Sequence, residues 1–216
     1  MSDAIRVGLV GFGYASKTFH APLIGGTPGM ALKAVASSDA DKVHADWPGV
    51  KVMSAPGDLL DDPDIDLVVI ATPNDTHFPL AKAALEAGKH VVVDKPFTVT
   101  LSQARELESL AKHCGRILSV FHNRRWDSDF LTVSALINEG QLGEVCYFES
   151  HFDRFRPQVR QRWREQAGPG SGIWYDLAPH LLDQVVVLFG LPVSITVDLA
   201  QLRPGAQSTD YFHAVL

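Results

Sequence analysis

The run Ile5-Arg6-Val7-Gly8-Leu9-Val10 breaks directly into Gly11-Phe12-Gly13. A short, β-branched-rich run without polar alternation is the pattern of a strand buried on both faces, and such strands belong to parallel sheets covered by helices. The two glycines then turn the chain, and a helix is predicted to begin near residues 14–16. The alternation continues with a strand over residues 31–37, a strand over 65–71, a helix over 78–87 stopped by Gly88, and a strand over 90–93. A helix over residues 102–114, with Ser102 placed to cap it, and a strand over 117–121 complete the series. Regular alternation of strand and helix implies right-handed βαβ units in a doubly wound parallel sheet.

After about Asn123 the pattern changes to a helix over residues 128–138, a glycine turn, a strand-like stretch over 145–152 and an arginine-rich segment over 154–164. The predicted fold class is α/β: a doubly wound parallel sheet over residues 1–122, then a second, α+β domain over 123–216. Residues 210–216 read as a strand cut off before its hairpin partner. The second domain is therefore expected to be incomplete, and a chain of this length is expected to turn over little substrate.

A composition that is 46% hydrophobic and 20% charged suits one large or two small globular domains. The formal charge of -6 offers no basic field to steer toward nucleic acid or anionic lipid, which leaves a small molecule as the expected partner. No leader pattern and no run near the ~20 apolar residues of a membrane span is present, so a cytoplasmic location is expected. Cys114 and Cys146 show no metal-ligand or redox spacing; both read as reduced thiols, and no metal is expected.

Residues 11–16 match the dinucleotide fingerprint with Ser16 in place of the third glycine. Gly11 permits the tight turn, Gly13 lets backbone approach a pyrophosphate, and a small residue at 16 lets helix pack on strand. Amides at the helix start then face the phosphates. The end of the second strand selects between cofactors, an acid there binding the adenosine ribose and excluding a 2′-phosphate. Here stand the hydroxyls of Ser37 and Ser38, with Lys42 nearby, which favours NADP slightly over NAD; Asp39 or Asp41 is the competing ribose ligand.

Thr72-Pro73-Asn74-Asp75-Thr76-His77 and Asp94-Lys95-Pro96 both follow predicted strands, where doubly wound sheets place their ligand crevice. Pro73 fixes the turn, while Asn74 and His77 offer polar groups; the plainer alternative is that Asn74 or Asp75 caps the next helix. A lysine beside an apolar strand end can be desolvated and fitted for proton transfer, although a lone turn lysine is more often solvated. The Lys95–Pro96 bond is a candidate for the cis form. Farther on, Asp176 and His180 lie one helical turn apart if their segment is helical, with Pro179 suggesting that the pair straddles a helix start. A capping aspartate and a core histidine are the alternative.

Taken together, these residues resemble the glucose-fructose oxidoreductase, inositol dehydrogenase and MocA family. The similarity follows family order through residues 11–16, 71–77, 88–96 and 170–180, and its most specific feature is the Lys-Pro pair followed some way on by Asp-x-x-x-His. The family's usual Glu-Lys-Pro is here Asp94-Lys95-Pro96. The resemblance implies that Lys95, Asp176 and His180 are catalytic and that Gly11, Gly13, Asn74, His77 and Asp94 line the cofactor site. It also implies that residues 1–122 are a Rossmann dinucleotide-binding domain and residues 123–216 a substrate and catalytic domain with an open, mostly antiparallel sheet, that Arg125 and Trp163 approach the nicotinamide or the substrate entrance, and that the complete protein is a homo-oligomer. The expected activity is hydride transfer between NAD(P) and a hydroxyl or carbonyl carbon of a sugar, inositol or related polyol. The competing class is a non-catalytic dinucleotide-binding sensor, against which the presence of Lys95, Asp176 and His180 argues.

Overall fold

The computed structural model describes residues 4–216 and divides into two compact units, the first ending at Phe121 and the second beginning at His122. In the first unit β1 (Ile5–Val10), β2 (Met30–Ala36), β3 (Lys51–Met53), β4 (Leu67–Ile70), β5 (His90–Asp94) and β6 (Leu118–Phe121) form one sheet in the order β3-β2-β1-β4-β5-β6. Every pairing is parallel. The chain leaves β1 in one direction to build β2 and β3, then returns to the other side of β1 for β4. That reversal opens a crevice at the carboxyl ends of β1 and β4.

The side-chain period of two along each strand divides the apolar residues between two cores. Val10, Val68, Ile70, Val91 and Val93 face one layer, packed with Leu85 of α4 (Asn74–Glu86) and Leu107 of α5 (Leu101–Cys114). Val7, Leu9, Val35 and Val69 face the other, against Ala21 and Ile24 of α1 (Ala21–Gly26) and Val43 of α2 (Ala40–His44). Full burial of each such side chain contributes roughly 1.5–3 kcal/mol, which is why the strands read as continuous apolar runs. Gly8 lacks a Cβ because Leu59 of α3 (Pro56–Leu60) lies over it, 2.6 Å from where that atom would be.

Several local expectations shift. The capping residue of α5 is Thr100, not Ser102: the Thr100 hydroxyl accepts from the Gln103 amide, and the Gln103 side chain accepts from the Thr100 amide. The helix after β1 includes a π-helical turn, Ser16–His20, directly before α1. β3, three residues long, escaped the periodicity reading.

In the second unit α6 (Ser128–Asn138) keeps its predicted bounds, and α7 (Gly172–Phe189) is its longest element. Asp176 and His180 do not straddle a helix start: α7 begins four residues before Asp176 and runs through Pro179. Residues 210–216 do not lack a partner, since β8 (Tyr211–Val215) pairs antiparallel with β7 (Thr196–Ala200). Residues 145–152, expected as a strand, form no ladder. A strand needs a neighbour for its N–H and C=O groups, and no described strand offers one; the stretch instead lines a cavity of about 1190 Å³ with α7 and β8. Among the described residues no helix is long and apolar enough to cross a membrane.

Candidate active site

In the first unit the crevice is built from the turns after β1, β4 and β5. Gly11 has φ +88°, and a Cβ there would lie 2.8 Å from the Ala71 carbonyl oxygen and 3.0 Å from Thr72 Cγ2. Backbone freedom and close approach of the β4 turn therefore both demand glycine. Ser16 is fully buried, and its hydroxyl donates to the Gly11 carbonyl at 2.9 Å, tying the first helical turn back to the loop. At Gly13 a Cβ would meet nothing within 4 Å. The fold has no need of glycine at this position, so its bareness leaves room above the loop where helix-start amides lack intrahelical acceptors. A dinucleotide pyrophosphate fits that combination of open space, amide donors and helix dipole.

Beyond β4, the first residue of α4 is Asn74, and its N-cap is Pro73, which makes no side-chain cap. The capping alternative for Asn74 and Asp75 is thus not the arrangement found. The turn is instead closed by Thr76, whose hydroxyl donates to the Pro73 carbonyl at 2.6 Å. His77 is buried between two backbone carbonyls, with Nδ1 2.8 Å from the Pro96 oxygen and Nε2 2.9 Å from the Thr72 oxygen. A neutral imidazole donates to one of these at a time. His77 joins the β4 turn to the Lys95–Pro96 turn and supports the crevice from within.

The Lys95–Pro96 peptide is cis. Asp94 accepts from the Lys95 amide through Oδ1 at 2.8 Å, and its Oδ2 lies 3.9 Å from Nε2 of buried His20, an ion-pair distance too long for a hydrogen bond. Burial pushes the Asp94 carboxyl up, but the His20 imidazole, the Lys95 amide and the Lys95 charge outweigh it and hold the group below its ordinary value. His20 packs on Phe121, ring centroids 4.3 Å apart. Sequence reading passed over His20; its signal was the spacing of four from Ser16, which puts both on the buried side of one turn.

At the end of β2, the Asp39 carboxylate caps α2 by accepting from the Lys42 amide at 3.0 Å. Ser37 bonds locally, its hydroxyl 3.2 Å from the Asp39 amide, while Ser38 and Lys42 are exposed.

In the second unit Asp176 and His180 project one turn apart from α7. Asp176 lies 3.4 Å from Arg164 Nε, and His180 is buried with its ring centroid 6.5 Å from that of Phe152. Arg125 makes a two-pronged contact with Asp183, Nε and Nη2 donating at 2.7 and 2.6 Å, which raises its guanidinium pKa and fastens residues 123–126 to α7. Its charge is thereby directed to α7. Trp163 stacks under Arg164, whose guanidinium carbon is 4.5 Å from the ring centroid. Asp183, one turn beyond His180, was not anticipated; the Asp-x-x-x-His reading stopped a turn short of it.

Residues 5–122 match the family described as "Oxidoreductase family, NAD-binding Rossmann fold", and residues 134–216 match its C-terminal alpha/beta domain. The chain is 80% identical over 216 residues to the uncharacterized oxidoreductase YdgJ of Escherichia coli, covering 100% of this chain and 62% of that protein. It is 39% identical to the scyllo-inositol 2-dehydrogenase (NADP(+)) IolW of Bacillus subtilis, over 99% of this chain and 60% of that one. The solved structure of YPO2259 from Yersinia pestis superposes with a TM-score of 0.94 at 70% identity, covering 100% of this chain and 61% of the other. The chain thus spans about three-fifths of the length of these relatives. Two domain matches in family order, over a sheet wound β3-β2-β1-β4-β5-β6, establish that this chain belongs to the GFO/IDH/MocA oxidoreductase family.

Proposed function

We propose that this chain forms the dinucleotide-binding and catalytic part of an NADP-dependent dehydrogenase acting on a hydroxyl carbon of a sugar, inositol or related polyol. The observation that carries the reading is the crevice at the turn of β1, where Gly11 is fixed by geometry and Gly13 leaves open space at a helix start. NADP is favoured because Asp39, the acid nearest the end of β2, caps α2, while Ser38 and Lys42 stay exposed to meet a 2′-phosphate. The Bacillus subtilis relative, named as an NADP-dependent scyllo-inositol dehydrogenase, supports both the cofactor and the polyol class.

When bound, the nicotinamide supplies the hydride acceptor or donor. In the oxidation direction His180 takes the proton of the substrate hydroxyl, Lys95 stabilises the developing alkoxide, and Asp176 orients the substrate. The cis turn carrying Lys95 is held by Asp94 and by His77, so the lysine enters from a fixed backbone.

The test is a turnover screen of inositols, sugars, sugar acids and sugar phosphates with NADP⁺ and NAD⁺, read by the absorbance of reduced nicotinamide, in a chain of its relatives' full length. Turnover that prefers NADP⁺ is expected. His180→Asn should lower it ~100-fold to 10,000-fold, and Lys95→Met should impair it while leaving dinucleotide affinity within a few-fold. Near-parental turnover in both variants with a true substrate contradicts the assignment.

A further inference from the structure

Five arginines fall within residues 154–164 of a chain whose net charge is -6. In the second unit this segment borders a cavity of about 310 Å³, near the lower end of the ~300–1,000 Å³ usual for small-ligand pockets. Five guanidiniums and three carboxylates stand around it. The carboxylates are all engaged: Glu165 with Arg162 at 2.8 Å and Arg203 at 3.2 Å, Asp210 with Arg203 at 2.8 Å, and Asp176 with Arg164 at 3.4 Å. Among the described residues, Arg154 and Arg156 have no carboxylate within 4 Å, although both line the cavity.

Arg156 is half-buried, and its surroundings work against its charge. Burial first, then the charges of Arg154, Arg160 and Arg162, push its guanidinium below its ordinary value, with Asp176 acting in the opposite sense. An arginine does not respond by losing its proton, so the charge stays available to an anion in the cavity. Its backbone is held in place: Arg203 Nη1 donates to the Arg156 carbonyl at 3.3 Å and to the Gln158 carbonyl at 3.2 Å. The start of α7 also borders the cavity, where Gly172 and Ile173 line it and the first turn carries no acid. Gly172 has φ +85°, and a Cβ there would lie 2.9 Å from the Thr209 carbonyl oxygen, so the approach of backbone to this wall is also fixed.

We propose that this cavity is an anion subsite, in which Arg154 and Arg156 and the start of α7 hold a carboxylate or phosphoryl group of the substrate beside Asp176. The substrate is then an acidic polyol, a sugar acid or sugar phosphate, rather than a neutral one. The inference rests on the reading above only in treating the anion as part of the compound that Asp176 and His180 process.

The experiment is calorimetric titration of the chain with D-gluconate and D-glucose 6-phosphate, with D-glucose and myo-inositol as neutral controls and inorganic phosphate as the free-ion control. One or both acidic sugars should bind at least about tenfold more tightly than the neutral compounds and than phosphate, and which of them binds separates a carboxylate from a phosphoryl source. Arg156→Gln should weaken that binding by about tenfold or more, as loss of a charge-assisted hydrogen bond predicts. Arg154→Gln, at an exposed position, should do the same without altering the thermal midpoint, which guards against a folding defect at 156. Equal binding of acidic and neutral sugars, indifference to both variants, or an adventitious ion only, with phosphate binding as tightly as the sugars, overturns the proposal. Failure of the polyol turnover screen alongside Arg156-dependent binding of acidic sugars would instead count against the dehydrogenase reading and leave the anion site standing.

Discussion

Gly11 and Gly13 stand two residues apart and are glycine for different reasons. Gly11→Ala places a Cβ at φ +88° and within 2.8 Å of the Ala71 carbonyl. It is expected to destabilise the first unit by about 1–3 kcal/mol, read as a lower urea midpoint; an unchanged midpoint would show the loop to be looser than described. Gly11, Gly13, Lys95, Asp176 and His180 stand out in the sequence because each sits at a motif position with a chemical rationale. His77 looked like a ligand-facing group and is a buried strut, because a residue one turn into a helix can point inward as readily as outward, and spacing does not record which. The roles of His20 and Asp183 were hidden for the converse reason: their partners, Asp94 and Arg125, are distant in sequence.

At the scale of elements, the parallel strands were readable from their apolar runs, and their ends were less so. The cap of α5 illustrates why: Thr100 and Ser102 are both able to cap, and only the reciprocal bond with Gln103 decides between them. Thr100→Ala should cost about 1 kcal/mol in denaturant unfolding and Ser102→Ala much less; the reverse ranking would refute the assignment. β1 is joined to the lead-in of β4 through Arg6, whose Nε and Nη2 donate to Asp66 at 2.9 and 2.8 Å. The Arg6 hydrogen bonds, opposed by a little burial, bring the Asp66 pKa down to about 2 from an ordinary 3.8. A depressed carboxylate stabilises the fold above its unfolded pKa and loses that contribution as pH falls through the folded value. Stability should therefore decline between about pH 4 and pH 2, and Asp66→Asn should flatten that decline while lowering stability near neutrality. A variant whose acid-unfolding profile overlays the parent's would show that the pair contributes nothing. The helix α7 defied its sequence cue, since Pro179 forfeits one backbone bond yet packing of Leu177 and Ala178 keeps the helix continuous.

For the molecule as a whole, the doubly wound parallel sheet of the first unit followed from the alternation of strand and helix, whereas its strand order, β3-β2-β1-β4-β5-β6, came only from the structure. The second unit was harder to read: residues 145–152 carry a strand's composition without a described neighbour, and pairing is a property of two segments rather than one. Its arginine-rich segment was visible as composition, but only the structure shows which charges are engaged and which face the cavity. We propose that the bare loop at Gly13 receives the pyrophosphate of NADP. It is tested most directly by titrating the parent chain and Gly13→Val with NADPH and NADH while following the thermal midpoint of each. Gly13 lies outside the positive-φ region and a Cβ there meets nothing within 4 Å, so the variant is expected to fold normally. Saturable binding by the parent, tighter for NADPH, is expected, with a loss of at least about tenfold in Gly13→Val and an unchanged midpoint. Equal dinucleotide affinity in the two proteins would contradict it.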